Sequence, residues 1–231
     1  MTAQGHGALF DKLSLTFRSR RNRFLKKLLL NCKNAKPVSD KPFKVLDLGG
    51  TSEYWKSVGF DFIELNNIHI TCVNYSKSEL SDTDHKFISK IVADARSMPQ
   101  FSDHEFDFVH SNSVIEHVGS FDDMMQFAAE VKRLAPNFYI QTPYFWFPID
   151  PHFPRMPFFH WMPHSVQLRV IGNFKIGWSR PIKDTAHAMK VLNGTQILDR
   201  RQFRYLFPDA SHKFEWFLLP KSMIAFRFLS S

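Results

Sequence analysis

From residue 43 onward, short apolar runs alternate with amphipathic stretches and turn residues. Phe43-Lys44-Val45-Leu46-Asp47-Leu48 predicts a strand that runs straight into the turn Gly49-Gly50-Thr51. A helix is expected to begin near Ser52 and to end before Gly59. Ile68-His69-Ile70-Thr71-Cys72-Val73-Asn74 reads as a second strand, Lys90 to Asp94 as a third and Phe106 to Ser111 as a fourth. A helix from Asp122 to Leu134 follows, then a fifth strand, Asn137 to Thr142, stopped by Pro143. Strands alternating with helices at this spacing predict an α/β domain, a parallel sheet covered on both faces.

Past Tyr144 the chain changes character. Phe, Pro, Trp and His crowd the stretch up to Pro163, with helical patches at Ser165 to Ile171 and Asp199 to Leu206. The end of the chain reads as two strands, Lys213 to Leu219 and Ser222 to Leu229, joined across Pro220. At the other end, Leu13, Phe17, Phe24 and Leu28 mark an apolar stripe at helical spacing. Residues 1–40 are thus expected to form a basic helical extension, closed by a linker holding Pro37 and Pro42. Residues 41–231 are expected to form one domain, with a lid at about 144–190.

Charge sharpens the picture of the extension. The net charge is +8, and Arg18, Arg20, Arg21, Arg23, Lys26 and Lys27 form a dense run. A solvated helix packed on the domain explains the run, as does contact with an anionic membrane surface or an acidic partner. Nucleic acid is disfavoured because no aromatic-basic RNA motif accompanies it. The two cysteines, Cys32 and Cys72, offer neither metal spacing nor a disulfide framework and fit a reducing compartment. No apolar run approaches the ~20 residues of a membrane span, and charges interleave with apolar residues at the N-terminus, unlike a signal peptide. A cytoplasmic location is expected, with peripheral contact at the inner membrane surface through the basic N-terminus. The 25 Phe suggest both a core and an aromatic pocket wall.

Ligands of open α/β sheets bind beyond the carboxyl ends of the strands. The turn Asp47-Leu48-Gly49-Gly50-Thr51 offers there a carboxylate, two residues without Cβ and a hydroxyl. No P-loop lysine follows and G-x-G-x-x-G is absent, which disfavours a phosphate or dinucleotide site. Asn74 ends the second strand, where a ribose-binding polar residue would sit, and Asp94 ends the third. Ser111-Asn112-Ser113-Val114-Ile115-Glu116-His117-Val118 follows the fourth.

The succession Val45-Leu46-Asp47-Leu48-Gly49-Gly50, Ala93-Asp94-Ala95, Phe106-Asp107-Phe108-Val109 and Ser113-Val114-Ile115-Glu116-His117-Val118 resembles class I S-adenosylmethionine-dependent methyltransferases, nearest their small-molecule, type 11-like branch. The resemblance covers about residues 43–143. It implies a Rossmann-like seven-stranded, mostly parallel sheet with an antiparallel C-terminal strand pair. It also implies S-adenosyl-L-methionine as cofactor. Asp47 would orient donor-contacting groups or meet the donor's amino-acid end. Gly49 and Gly50 would line its methionine and ribose part, Asn74 would meet the ribose, and Asp94 with Ala95 would hold the adenine. Ser111 and Asn112 would lie beside the donor. The family usually has Gly-x-Gly and an acidic residue ending strand two, where this chain has Gly49-Gly50-Thr51 and Asn74.

The acceptor side is read from composition. Prolines restrict the segment after strand five, aromatics exclude water, and polar groups punctuate it. Tyr144, Trp146, Arg155, His160 and His164 are expected to bind substrate. His152 is the leading general base, with His117 a second catalytic candidate. The histidines lack a helical His-x-x-x-His pattern, so no metal ligand is assigned. O-methylation of a small-molecule or glycan-type acceptor is the expected function. An N- or C-methyltransferase and a non-catalytic partner protein of the same fold are the alternatives.

Overall fold

A computed structural model describes residues 8–79, 85–176 and 180–229, with side chains described from residue 16 onward. Leu13 of the expected apolar stripe therefore lies outside the described side chains. Seven strands form one sheet, β1 (Phe43–Leu48), β2 (Ile68–Asn74), β3 (Ile88–Val92), β4 (Phe108–Asn112), β5 (Asn137–Pro143), β6 (Ser211–Phe217) and β7 (Leu219–Arg227). Their order is β3-β2-β1-β4-β5-β7-β6. Strands β1 to β5 pair in parallel, and β7 runs antiparallel to both β5 and β6. The expected Rossmann-like sheet is present, with β7 as its one reversed strand.

Several boundaries differ from the sequence reading by two or three residues: β3 ends at Val92, so Asp94 lies just past it, β4 begins at Phe108, and the C-terminal strands start earlier than expected. The β6–β7 turn is centred on Leu218, at φ 57°, and Pro220 lies inside β7 opposite Trp216, where the register shifts. A proline lacks the N–H that regular pairing needs, so it is accommodated at this irregularity rather than in the turn. Helices α3 (Phe60–Leu65) and α6 (Thr185–Asn193) are too short to announce themselves by periodicity. Asp184 nevertheless caps α6 by accepting from the His187 N–H.

The remaining helices are α1 (Ala8–Asn34), α2 (Ser52–Val58), α4 (Phe121–Leu134), α5 (His164–Asn173) and α7 (Arg200–Leu206). Alternation along each strand divides them between the two faces of the sheet. Leu46, Val109, Phe138 and Ile140 pack with Met124, Phe127 and Val131 of α4 and Phe203 of α7. Val45, Ile70, Phe108 and Tyr139 pack on the opposite face with Trp55 of α2 and Ile63 of α3. Helix α1 belongs to that second cluster, where Leu25, Leu28, Leu29 and Cys32 are buried. Burial of a leucine contributes roughly 1.5–3 kcal/mol, so α1 is part of the core. A third cluster, built on Phe153, Phe159, Ile171, Ala188 and Leu192, gives the segment between β5 and α7 its own interior. Among the described residues no helix is long and apolar enough to cross a membrane. Both cysteines are free and buried, and burial raises the Cys32 thiol to about 12.

One polar network ties the α1 face together. Asp47, Tyr139 and His110 are each about 1% exposed. Asp47 faces His110 across β1–β4, and His110 faces Tyr139 across β4–β5. Asp47 accepts from Trp55 Nε1 at 2.6 Å and pairs with His110 Nδ1 at 2.7 Å, while His110 Nε2 meets the Tyr54 hydroxyl at 3.1 Å. Replacing Asp47 by Ala would strand two buried polar partners, at a cost of about 3 kcal/mol. Denaturant unfolding of Asp47→Ala is expected to show that loss with little change in m-value; stability within 1 kcal/mol of the parent would contradict it.

Candidate functional site

The turn after β1 is shaped by what a side chain would strike. Gly49 has φ 74°, and a Cβ there would lie 2.3 Å from Val114 Cγ2. A Cβ on Gly50 would lie 1.7 Å from Asp47 Oδ2. Both positions therefore need glycine on steric grounds before any ligand is considered. Thr51 then caps α2 by accepting from the Tyr54 N–H at 3.2 Å.

Beyond this turn lies a cleft of about 310 Å³ at the carboxyl ends of β1, β2 and β3. Gly49, Asn74, Asp94 and Ala95 line it, as expected. Tyr75, Glu79, Arg96, Val114 and His117 also line it. Asn74 Nδ2 donates to the Gly50 carbonyl at 2.7 Å, a bond a carboxylate could not make, so the amide is pinned to the glycine turn. Glu79, just past β2, brings to the cleft the acidic group that the end of β2 lacks. Tyr75 is 72% exposed and offers an aromatic face. Arg96 bonds both oxygens of Asp94 and reaches Asp123 of α4 at 2.6 Å. Its guanidinium holds the Asp94 carboxyl below the usual value.

A second cavity, of about 240 Å³, opens at the ends of β5, β6 and β7. Its walls are mostly apolar, from Phe17 of α1, Phe147, Ile149, Pro151 and Pro154 of the post-β5 segment, and Phe217 of β6. Arg21, Gln141, Ser113, Glu215 and Lys221 supply its polar positions. Arg21 turns inward from the basic run of α1, donating to Asn112 Oδ1 at 2.9 Å and Gln141 Oε1 at 3.2 Å, with Nε 3.2 Å from Glu215 Oε1. Lys221 sits 4.6 Å from the Phe17 ring centre, and burial, reinforced by Arg21, depresses its amine.

Between the two spaces runs the segment after β4. Ser113, at φ 58°, lines the second cavity, while Val114 and His117 line the first. His117 Nε2 meets His152 Nε2 at 3.0 Å, and His152 Nδ1 meets Asp150 Oδ1 at 2.7 Å. Burial would depress His152, but the hydrogen bond and charge of Asp150 outweigh it and raise the imidazole above its ordinary value. Burial lowers His117. Neighbouring Glu116 is fully buried, and burial pushes its carboxyl up to about 7. Ligand atoms of Glu116, His117 and His152 all lie within 4.8 Å of one another.

Other expected site residues are placed elsewhere. Asp47 lies beneath the turn, Gly50 is buried within it, and Ser111 is fully buried, donating to the Leu48 carbonyl at 3.1 Å. Asn112 is engaged by Arg21. None of Tyr144, Trp146, Arg155, His160 and His164 lines the second cavity. Tyr144 and Trp146 border a shallow groove with Arg200, Arg201 and Arg204. His160 Nε2 bonds the Phe145 carbonyl, and exposed His164 begins α5. The same aromatic loop does line the cavity, but through Phe147, Ile149, Pro151 and Pro154. Phe17 and Arg21 had no site signal in the sequence, because their role depends on where α1 docks.

Residues 46–137 match the family model of a methyltransferase domain. Three solved structures share the fold. Magnesium protoporphyrin IX methyltransferase (ChlM) from Synechocystis PCC 6803, with bound SAH, is 11% identical, with a TM-score of 0.57 over 97% of this chain and 89% of that one. LepI in complex with SAM is 7% identical, with a TM-score of 0.53 over 87% of this chain and 46% of that one. The CurJ carbon methyltransferase is 12% identical, with a TM-score of 0.50 over 83% of this chain and 50% of that one. The chain thus spans about half the length of two of these three. No curated protein is significantly similar to it in sequence.

Asp94 and Glu79 are exposed enough to be removed without unfolding the domain. Asp94→Ala and Glu79→Ala are each expected to weaken S-adenosylhomocysteine binding about tenfold or more, the effect of one charge-assisted hydrogen bond. Melting temperature should change little. Calorimetric titration checks this, and unchanged affinity in both variants would move the ligand out of the cleft.

Proposed function

We propose that this chain, whose residues 46–137 match the model of a methyltransferase domain, transfers a methyl group from S-adenosylmethionine to a hydroxyl on a small molecule with an apolar body. The observation that carries the proposal is the shared wall. Ser113 borders the apolar cavity and the next residue, Val114, borders the donor cleft. Ligands in the two spaces would lie against adjacent residues of one segment, and direct displacement requires the hydroxyl and the methyl group to come within about 3–3.5 Å of each other at its edge.

The donor-side residues fit the cofactor by chemistry. Gly49 keeps the turn free of a side chain, Asp94 and Glu79 offer acceptors for amino and hydroxyl groups, and Tyr75 and Ala95 offer apolar surface. Bound there, S-adenosylmethionine supplies an activated methyl group on a sulfonium. Arg96 orients Asp94 toward the cleft, and its second bond to Asp123 anchors the loop to α4. The prolines and aromatics of the second cavity exclude water from the acceptor.

The acceptor's proton is handled at the cluster beside the wall, with His152 in the lead and His117 as its contact. Asp150 holds Nδ1 of His152, so Nε2 carries the lone pair, and it faces Nε2 of His117, which lines the donor-side cleft. His152→Ala is expected to lower kcat about a hundredfold or more, while leaving S-adenosylhomocysteine affinity intact.

Apolar walls favour an acceptor with a hydrocarbon or aromatic body. A saccharide would place hydroxyls against Phe17, Phe147 and Phe217 without partners. The deciding experiment starts with calorimetric titration of the purified chain with S-adenosylmethionine and S-adenosylhomocysteine. Label transfer from methyl-labelled donor is then followed to a panel of alkylphenols, aliphatic alcohols and sugars. Saturable binding and labelling of apolar alcohols is the expected result, with Arg21→Ala raising acceptor KM. Failure of the folded protein to bind either nucleoside would overturn the transferase reading, and labelling confined to sugars would overturn the acceptor class.

A further inference from the structure

The geometry around the wall poses a problem in hydrogen-bond accounting. His152 Nδ1 lies 2.7 Å from Asp150 Oδ1, and an ionised carboxylate only accepts, so that nitrogen carries the hydrogen. His117 Nδ1 lies 3.0 Å from the Gly194 carbonyl, which also only accepts. The longer contact of the same nitrogen with Thr195 Oγ1, at 3.4 Å, is compatible with that assignment, because a hydroxyl can accept. Both neutral rings therefore present lone pairs at Nε2, and those two atoms face each other at 3.0 Å. Glu116 stands beside them, 1% exposed. Its Oε2 accepts from Thr142 Oγ1 at 3.0 Å, while Oε1 is buried with no hydrogen-bond partner among the described residues. Three electron-pair donors thus converge within 4.8 Å with nothing electropositive among them.

A proton shared by the two imidazoles would answer one half of the problem. It would leave Glu116 Oε1 unmatched, a costly state for a buried carboxyl oxygen. One small cation answers both halves. We propose that Glu116, His117 and His152 bind a single divalent transition-metal ion, with Asp150 and the Gly194 carbonyl holding the two rings in place. Two imidazoles with one carboxylate suit zinc, iron(II) or cobalt(II) rather than magnesium or calcium, which prefer all-oxygen ligands. Hydrogen bonds from the far nitrogen of each ring to a carboxylate and a carbonyl are the support such ligands ordinarily have. His117 is exposed toward the cleft, which leaves a side open for a water or an acceptor oxygen. A loaded site would polarise that oxygen directly, in place of proton uptake by His152.

This inference leaves the donor-site reading untouched and replaces only the role of His152 as a base; its readout is metal binding. The full chain is stripped with EDTA and dialysed. It is then titrated with Zn2+ by calorimetry and with Co2+ by visible absorption. Parallel titrations with S-adenosylhomocysteine report on the fold and on the donor site. The expected result is one equivalent of either ion, weakened at least about tenfold in His152→Ala and in Glu116→Gln, and also weakened in Asp150→Asn, with nucleoside binding retained. No binding by protein that still takes up S-adenosylhomocysteine would overturn the metal site alone and assign the space between the rings to a proton. Binding left unchanged in both ligand variants would overturn it too.

Discussion

A carboxylate almost wholly removed from water sets the geometry on which the glycine turn and the cleft beyond it depend. Asp47, next to last in β1, points into the α1 face of the sheet, where Trp55 and His110 hydrogen-bond it. Its Oδ2 occupies the space that a side chain on the second glycine would need. The turn cannot be widened without moving the carboxylate, and the carboxylate cannot move without stranding two buried donors. His110 passes the constraint onward by stacking between Tyr54 and Tyr139, so β1, β4, β5 and α2 share one polar spine. The acidic residue that resembles a ligand contact thus acts one step behind the ligand.

The same face explains why α1 is inseparable from the second cavity. Phe24 packs on Tyr139 and Phe226, next to the spine. Arg21, nearly one turn earlier, reaches Asn112 and Gln141, each two residues further along its strand than His110 and Tyr139. Docking of Leu25, Leu28 and Leu29 therefore fixes the position of Arg21 and Phe17 over the strand ends. Stability and cavity shape come from a single packing event, and the basic run that looked like one solvated face is divided between solvent and site.

Between the cavities, buried polarity is concentrated where the chemistry would be. Ser113 in the left-handed region, Glu116 with one oxygen unpartnered among the described residues, and two imidazoles facing each other all belong to the segment between the cavities or its contacts. Each costs free energy that an ordinary core would avoid, and such costs collect at functional sites. Backbone strain at Ser113 turns its side chain to one cavity as the following residues turn to the other.

The sequence by itself determined the strands, their alternation with helices, the glycine turn and four residues of the cleft beyond it, Gly49, Asn74, Asp94 and Ala95. These features are local: two-residue alternation and strand-end position are written in neighbouring residues. It also marked His117 and His152 without joining them, since 35 residues separate them and no short spacing announces their contact. Only the tertiary structure decided that Asp47 and Ser111 face inward, that Glu79 and Tyr75 reach the cleft, and that the aromatic loop contributes Phe147 and Ile149 rather than Tyr144 and Trp146. Composition says that a loop is aromatic but not which side chains turn inward. That choice depends on packing against Phe17 and Arg21 from a helix more than a hundred residues away, a contact that exists only once the core has closed.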